Sequence, residues 1–334
     1  MVEGTEGSHH KEGSTKMHKP TTICAGIDTG KRKLDVAVEG CSQQLKVANA
    51  PEGHQVLVAW LRQKHVTRVG IEASGGHEQT IVGKLRHAGL VVIVFQPMQV
   101  RAYARFHLQR AKNDRLDAAL IAACTASMKK EKIHAPPDPR LAPLAEHLTL
   151  LDQITEDIAR AKTRRETCRD PRMQRFWDQE IARHKELHRI ELKALVAAIR
   201  QHPDLAERLD LIASIDGLGV RTAMAILLRM PEIGRISREE ASALAGLAPY
   251  DDDSGDHTGP RHIDGGRERL RKALYAAALP AAFHWNAQLI GIYRRLTAAG
   301  KPHKVALVAC ARKLLIYANT VVARGSPWTQ LPAS

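Results

Sequence analysis

Between residues 22 and 127, apolar positions fall into short runs broken by turn residues, and the length and period of each run predict the element it builds. Residues 23–27 predict a buried strand, 34–39 a second and 44–48 a third. Short turns at 29–33 and 40–42 make these three a meander. Pro51 and Glu52 open a helix carrying Val56, Leu57, Val58 and Leu61. Residues 66–72 predict a fourth strand, 77–88 a helix and 91–95 a fifth strand. Pro97 starts a further helix, and residues 114–127 make another with Leu116, Leu120 and Ile121 on its inner face.

Three antiparallel strands followed by helix, strand, helix, strand and helix is the order of the ribonuclease H-like fold, in which strands one and four are neighbours. Pro136, Pro137 and Pro139 close that region. Beyond them Leu141, Leu144, Leu148, Leu151 and Ile158 follow 3/4 spacing, and a second helical stretch carries Trp177, Ile181, Leu187, Ile190 and Leu195. That pattern predicts a long antiparallel helical hairpin or coiled-coil arm. After Pro203 an Ala-, Leu- and Gly-rich helical region runs to about Arg324. The expected class is therefore α/β plus α: a ribonuclease H-like mixed-sheet domain over 21–135, an arm over 140–202, and a mainly helical C-terminal domain over 205–325. Residues 1–20, rich in Gly, Ser, His, Lys and Glu, have nothing to bury and read as a tail.

Composition adds the partner. A formal net charge of +14 over 334 residues favours a polyanion, and nucleic acid is the expected one. Aromatic residues make up only 4%, so binding by base stacking is not the obvious mode. The arm's polar face carries Arg160, Lys162, Arg164, Arg165, Arg169, Arg172 and Arg175, an excess of one sign that suits phosphate contact. Cys24, Cys41, Cys124, Cys168 and Cys310 have no CxxC spacing, which fits a reducing cytoplasm and neither a zinc knuckle nor a disulfide framework. No apolar run approaches a membrane span, so a membrane partner is not expected. His184 and His188 lack the metalloprotease pattern and read as surface residues, while Trp285, Tyr293 and Tyr317 read as core.

Candidate chemistry begins with four acids. Asp28 ends the first strand before Thr29 and Gly30; Glu72 ends the fourth before Ala73, Ser74, Gly75 and Gly76. Asp114 and Asp117 stand one turn apart at the start of a helix. Carboxylates gathered this way repel one another unless cations neutralise them, so the set suits two divalent ions, Mg²⁺ first and Mn²⁺ as an alternative. Taken singly, a strand-end Asp is often a turn residue and Asp114 could cap its helix.

Two further constellations follow. Gly217 and Gly219, between apolar stretches over 212–228, read as a helix-hairpin-helix element that could offer backbone N–H groups to a phosphate, or as an ordinary turn. Ser254 lies in a Gly-bounded loop followed by Arg261, Arg267, Arg269, Arg271 and Lys272, which could hold a scissile phosphate. On chemistry alone, Ser254 is either a nucleophile or a turn residue.

These segments together (26–30, 70–74, 112–118, 215–219, 246–249, 254–255 and 266–272) resemble the DEDD transposases of bacterial insertion sequences, which pair a RuvC-like N-terminal domain with a C-terminal serine transposase domain. The resemblance spans roughly residues 22–325. It implies a DNA recombinase in which Asp28, Glu72, Asp114 and Asp117 form the metal site and Ser254 attacks the phosphodiester to give a covalent protein–DNA intermediate. It further implies double-stranded DNA partners at element ends and target, a structured guide RNA, a homodimer or homotetramer with a site shared between protomers, and a bacterial cytoplasm with nucleoid association on DNA. Asp251, Asp252 and Asp253, just before Ser254, depart from what a phosphate site would favour. The alternatives are a RuvC-like endonuclease or junction resolvase with water as nucleophile, an actin- or sugar-kinase-like ATP-binding protein, and a nucleic-acid-binding protein without chemistry. No second Asp-x-Gly phosphate loop supports the ATP-binding reading.

Overall fold

The computed structural model describes residues 22–108, 114–128, 138–250, 253–254, 257–258 and 261–329, with backbone alone for 114–116, 253–254 and 257–258. The chain forms two compact units that divide between residues 136 and 137.

The first unit is a mixed α/β layer. Strands β1 (Cys24–Thr29), β2 (Lys33–Val38) and β3 (Gln44–Ala48) form the meander, followed by α1 (Pro51–Gln63), β4 (Arg68–Glu72), α2 (Gln79–His87), β5 (Val91–Phe95), α3 (Pro97–Phe106) and α4 (Asp114–Ser127). The sheet order is β3-β2-β1-β4-β5, with β1 parallel to β4 and β4 parallel to β5. This element order is the one the apolar runs predict. Side chains alternate across each strand. Ala25, Ile27, Leu34, Val36, Val69 and Ile71 point to one face, where they pack with Leu57 and Leu61 of α1 and Ile81 and Leu85 of α2. The buried line of α1 is Gly53, His54, Leu57 and Leu61, and Val56 is exposed.

The opposite face is covered by α4. A Cβ built on Gly26 would lie 2.2 Å from the Ala118 carbonyl oxygen and the Ala122 nitrogen, and one on Gly70 would lie 1.9 Å from Thr125 Oγ1. The two glycines thus let the helix sit directly on the sheet.

The second unit is helical. Helices α5 (Leu141–Thr167) and α6 (Pro171–Arg200) pack as an antiparallel pair, tied by His147 to Glu191 and by Arg165 to Asp178. Asp170 accepts the Arg172 N–H at 2.7 Å and so caps α6 immediately after the turn. There follow α7 (Pro203–Ala213), α8 (Val220–Arg229), α9 (Arg238–Leu244), the short strands β6 (Pro249–Tyr250), β7 (Asp253–Ser254), β8 (His257–Thr258) and β9 (His262–Ile263), α10 (Glu268–Pro280), a π-helical turn (Ala281–Trp285), α11 (Ala287–Ala298) and α12 (His303–Arg324). One apolar core joins Leu144 and Leu151 of α5, Leu195 and Ile199 of α6, Leu209 of α7, Met224 of α8, Leu274 of α10 and Leu314 of α12.

Several expectations change here. Leu187 and Ile190 are exposed on α6, and Ile154 rather than Ile158 is fully buried on α5, because 3/4 spacing alone does not say which stripe of a helix faces its neighbour. Trp285 is 65% exposed and not core, since it ends the π-helical turn on the outside. His184 and His188 are partly buried. Helix α12 is long and apolar enough to cross a membrane, yet half of its apolar stretch is buried, with Leu307, Ala311, Leu314 and Ala318 in the core.

Candidate active site

Strand register sets the first part of the site. Ile27 pairs with Ile71 across the parallel β1–β4 junction, so Asp28 and Glu72 occupy the next pair, at the carboxyl ends of adjacent strands. Both share a sheet face with Gly26 and Gly70, the face under α4. Arg68, at the start of β4, donates to the Met128 carbonyl just past the C-terminus of α4 at 3.0 Å. The helix therefore runs against β4, and its N-terminal end lies over the carboxyl ends of β1 and β4. Asp117 stands one turn before Ile121, which with Ala118 and Thr125 lines the helix face against the sheet glycines. The fold thus brings Asp28, Glu72 and Asp117 to one end of the sheet. The Asp114 side chain lies outside the described residues.

A fifth acid joins this face. Asp35 of β2 stands directly opposite Asp28 in the antiparallel register, is buried, and pairs with Lys33 at 3.4 Å and Lys46 at 3.6 Å. It falls mid-strand between Leu34 and Val36, where nothing in the sequence marks it as a site residue. Its position opposite Asp28 follows only once the register is known.

The donor set consists of carboxylate oxygens alone, the chemistry of a hard divalent cation. Among the described residues no three His, Cys, Asp or Glu side chains stand close enough to hold one ion. By donor type Asp28, Glu72 and Asp117 suit such an ion and are the described groups that would hold it.

The turns that follow the two strand-end acids are fastened to each other. Asn49 Nδ2 donates to the carbonyls of Gly30 at 3.0 Å and His77 at 3.1 Å, while its Oδ1 is 2.7 Å from His54 Nε2. His54 is buried, and burial with nearby Lys84 lowers its pKa, so the neutral ring donates through Nε2–H. Glu78 organises the turn after Glu72: its Oε2 accepts from Ser74 N, Ser74 Oγ and Gly76 N at 2.9–3.1 Å. Burial raises the Glu78 pKa, but these hydrogen bonds outweigh it and hold the carboxyl below its ordinary value.

In the second unit Ser254 lies on a paired strand rather than in an open loop. The backbones of β6 and β9 pair at Tyr250 and His262, and those of β7 and β8 pair at Ser254 and His257. At the base of this ribbon two glycine turns touch backbone to backbone: a Cβ on Gly266 would lie 2.2 Å from the Gly246 nitrogen. Arg271 braces the same turn by donating to the Gly265 carbonyl. Arg267 forms a fork to Glu232 with contacts of 2.7 and 2.8 Å, and Lys272 pairs with Glu268 at 2.7 Å. Arg269 reaches Asp152 at 3.5 Å, a carboxylate already holding Arg229 at 2.6 Å and Arg221 at 3.2 Å. Arg221 and Arg229 were not singled out from the sequence; their surplus of charge over Asp152 appears only when α5, α8 and α10 meet. Arg261 is exposed. Asp251 and Asp252 lie outside the described residues.

The remaining expected contact residues divide. Gly217, at φ +92°, packs where a Cβ would meet Ala281 Cβ at 2.4 Å, so close approach accounts for it. Gly219 precedes α8 with open space around it. On the arm, Arg164 lies over the Trp177 ring at 5.3 Å and Arg165 pairs with Asp178, while Lys162, Arg169, Arg172 and Arg175 are exposed.

Comparison with known proteins gives this arrangement a family. A DEDD-type model of the IS110 group, described as a transposase, matches residues 25–168, and the transposase IS116/IS110/IS902 family model matches residues 209–294. The chain belongs to the IS110-type transposases. The first match covers the acids of the sheet end, the second the ribbon that carries Ser254. The transposase is also 26% identical over 314 residues to the pilin gene-inverting proteins of Moraxella bovis and Moraxella lacunata, covering 91% of this chain and 96% of each of them. A solved structure of T. thermophilus RuvC in complex with a Holliday junction substrate aligns with 31% of this chain and 91% of that one, at 19% identity and a TM-score of 0.26. By family the protein is a DNA transposase or recombinase, and its DEDD class implies dependence on a divalent metal.

Proposed function

We propose that this transposase cuts and exchanges DNA strands through a serine-linked intermediate, using the acids at the sheet end and Ser254. The supporting observation is that α4 runs against β4 with its N-terminal end, which carries Asp117, toward the carboxyl ends of β1 and β4, which carry Asp28 and Glu72. Divalent cations bound there, with Mg²⁺ first, would neutralise charge on the scissile phosphate. Ser254 Oγ attacks phosphorus; the Oγ–P bond forms as the P–O3′ bond breaks, and the hydroxyl proton passes on balance to the departing 3′ oxygen. The freed 3′-OH of one strand then attacks the serine linkage of another, which restores Ser254 and joins the exchanged strands. Inversion of a gene, the activity in the relatives' name, requires such rejoining.

The same reading assigns the α5–α6 pair as a coiled-coil arm, the α7–α8 turn as a helix-hairpin-helix contact to the phosphate backbone, and a structured RNA as guide. The active form is an oligomer in which acids and serine come from different protomers. Ser254→Ala should abolish covalent protein–DNA adducts on denaturing gels while RNA binding persists, and Asp28→Asn should abolish both adducts and cleavage. Adducts that survive Ser254→Ala would remove the nucleophile; cleavage without adducts would favour water, as in a resolvase.

A further inference from the structure

Asp152 of α5 gathers more positive charge than it can balance. Arg229 reaches it at 2.6 Å, Arg221 at 3.2 Å and Arg269 at 3.5 Å, and no other carboxylate among the described residues lies within ion-pair distance of these arginines. Three guanidinium charges on one carboxylate leave a surplus of two. At Arg140, in the same unit, the balance runs the other way, one guanidinium holding both Asp138 and Asp204. His188 of α6 lies in the field of Arg221 and Asp152, with its Nε2 buried and unpartnered among the described residues. Burial and the Arg221 charge lower its pKa, so the neutral ring neither offsets nor adds to the surplus.

The cluster has a floor and two arms. The Arg229 side chain is only 11% exposed and stands in the last turn of α8, where the helix dipole favours a cation. Arg221 and Arg269 open outward, at 42% and 46% exposed. Both stand in the first turns of their helices, α8 and α10, where the dipole disfavours a cation. Arg221 spends Nη2 on Asp152 and Thr155 Oγ1, and Arg269 spends Nη1 on Asp152. The other donors of each planar fork stay open to an anion, and such forks match the oxygens of a phosphate. A phosphate set between the arms would offset the like charges and both unfavourable helix ends together.

We infer that Arg221, Arg229 and Arg269 form a phosphate clamp that Asp152 half fills: the carboxylate orients the guanidiniums, and a backbone phosphodiester of bound nucleic acid completes their charge. This rests on the proposed phosphate contact of the α7–α8 turn, which Arg221 follows directly, and supplies that contact with its side chains. Contacts of this kind fix position on the backbone without reading base sequence.

Fluorescence anisotropy of the full chain across a salt series tests it, with a random-sequence DNA duplex and an RNA hairpin as probes and circular dichroism to establish folding. Arg221→Gln and Arg269→Gln should each weaken binding roughly 10-fold. Each should also lower the slope of log affinity against log salt by about 1, which the loss of a merely structural ion pair would not do. Asp152→Asn keeps the shape and removes the internal anion, so it should tighten binding and steepen the slope. A change confined to the duplex assigns the clamp to DNA, and one confined to the hairpin assigns it to RNA. Wild-type slopes for both arginine variants on both probes, or weaker binding by Asp152→Asn at an unchanged slope, would overturn the clamp while leaving the α7–α8 contact standing. A wild-type chain that binds neither probe would overturn both.

Discussion

Gly26→Ala tests whether the seating of α4 on the sheet governs the candidate site. The added methyl would meet the Ala118 carbonyl oxygen and the Ala122 nitrogen at 2.2 Å and the Ile121 carbonyl carbon at 2.7 Å, all backbone atoms of one helix. Ordinary contact begins near 3.4 Å, so relief requires α4 to lift by more than an ångström; no side chain can rotate away instead. Overpacking of this kind costs about 1–3 kcal/mol, and here the strained element carries Asp117. A displacement near 1 Å at a phosphoryl-transfer centre costs on the order of 100-fold in rate. The control is Gly83→Ala on α2, where a Cβ meets nothing within 4 Å and helix propensity should add about 0.5–1 kcal/mol. Hydrogen exchange of α4 amides reads the helix directly, and metal-dependent nicking of an element-end duplex reads the site. Faster exchange in α4 with depressed nicking is expected for Gly26→Ala and neither for Gly83→Ala. A Gly26→Ala protein with wild-type exchange and nicking would refute the reasoning.

Three further outcomes follow from the same geometry. Asn49→Ala should accelerate exchange at Gly30 and His77 together and raise the metal concentration needed for half-maximal nicking, with DNA affinity unchanged; loosening of one turn alone would count against the cross-link. Glu78 has a folded pKa below its ordinary 4.5, so its stabilisation is complete above that value and is lost as pH falls through the lower folded one; in an acid titration Glu78→Gln should flatten that loss and should weaken protection of Ser74 and Gly76 even at neutral pH. Arg267→Ala should lower the thermal stability of the second unit by leaving Glu232 without its fork, by about 1–3 kcal/mol; unchanged stability with weakened DNA binding would return Arg267 to the role of a phosphate contact.

By itself the sequence determined the strands and helices of the first unit and the acids at their ends. Period-two alternation and turn residues act locally, so Asp28 and Glu72 could be placed at strand ends from neighbours alone. The 3/4 spacing likewise announced the α5–α6 pair. Tertiary structure decided what spacing cannot carry. The seating of α4, and with it the placing of Asp117 at the end of the sheet that carries Asp28 and Glu72, depends on two glycines far apart in sequence whose missing side chains admit the helix. Asp35 became a neighbour of Asp28 only through the β1–β2 register. The ribbon around Ser254 escaped a reading by composition because strands of two residues are held by pairing across the turn and by the contact of Gly246 with Gly266. On α6 two stripes have the same period, so sequence alone could not say that Leu187 and Ile190 face outward; packing against α5 buried one stripe and left the other exposed.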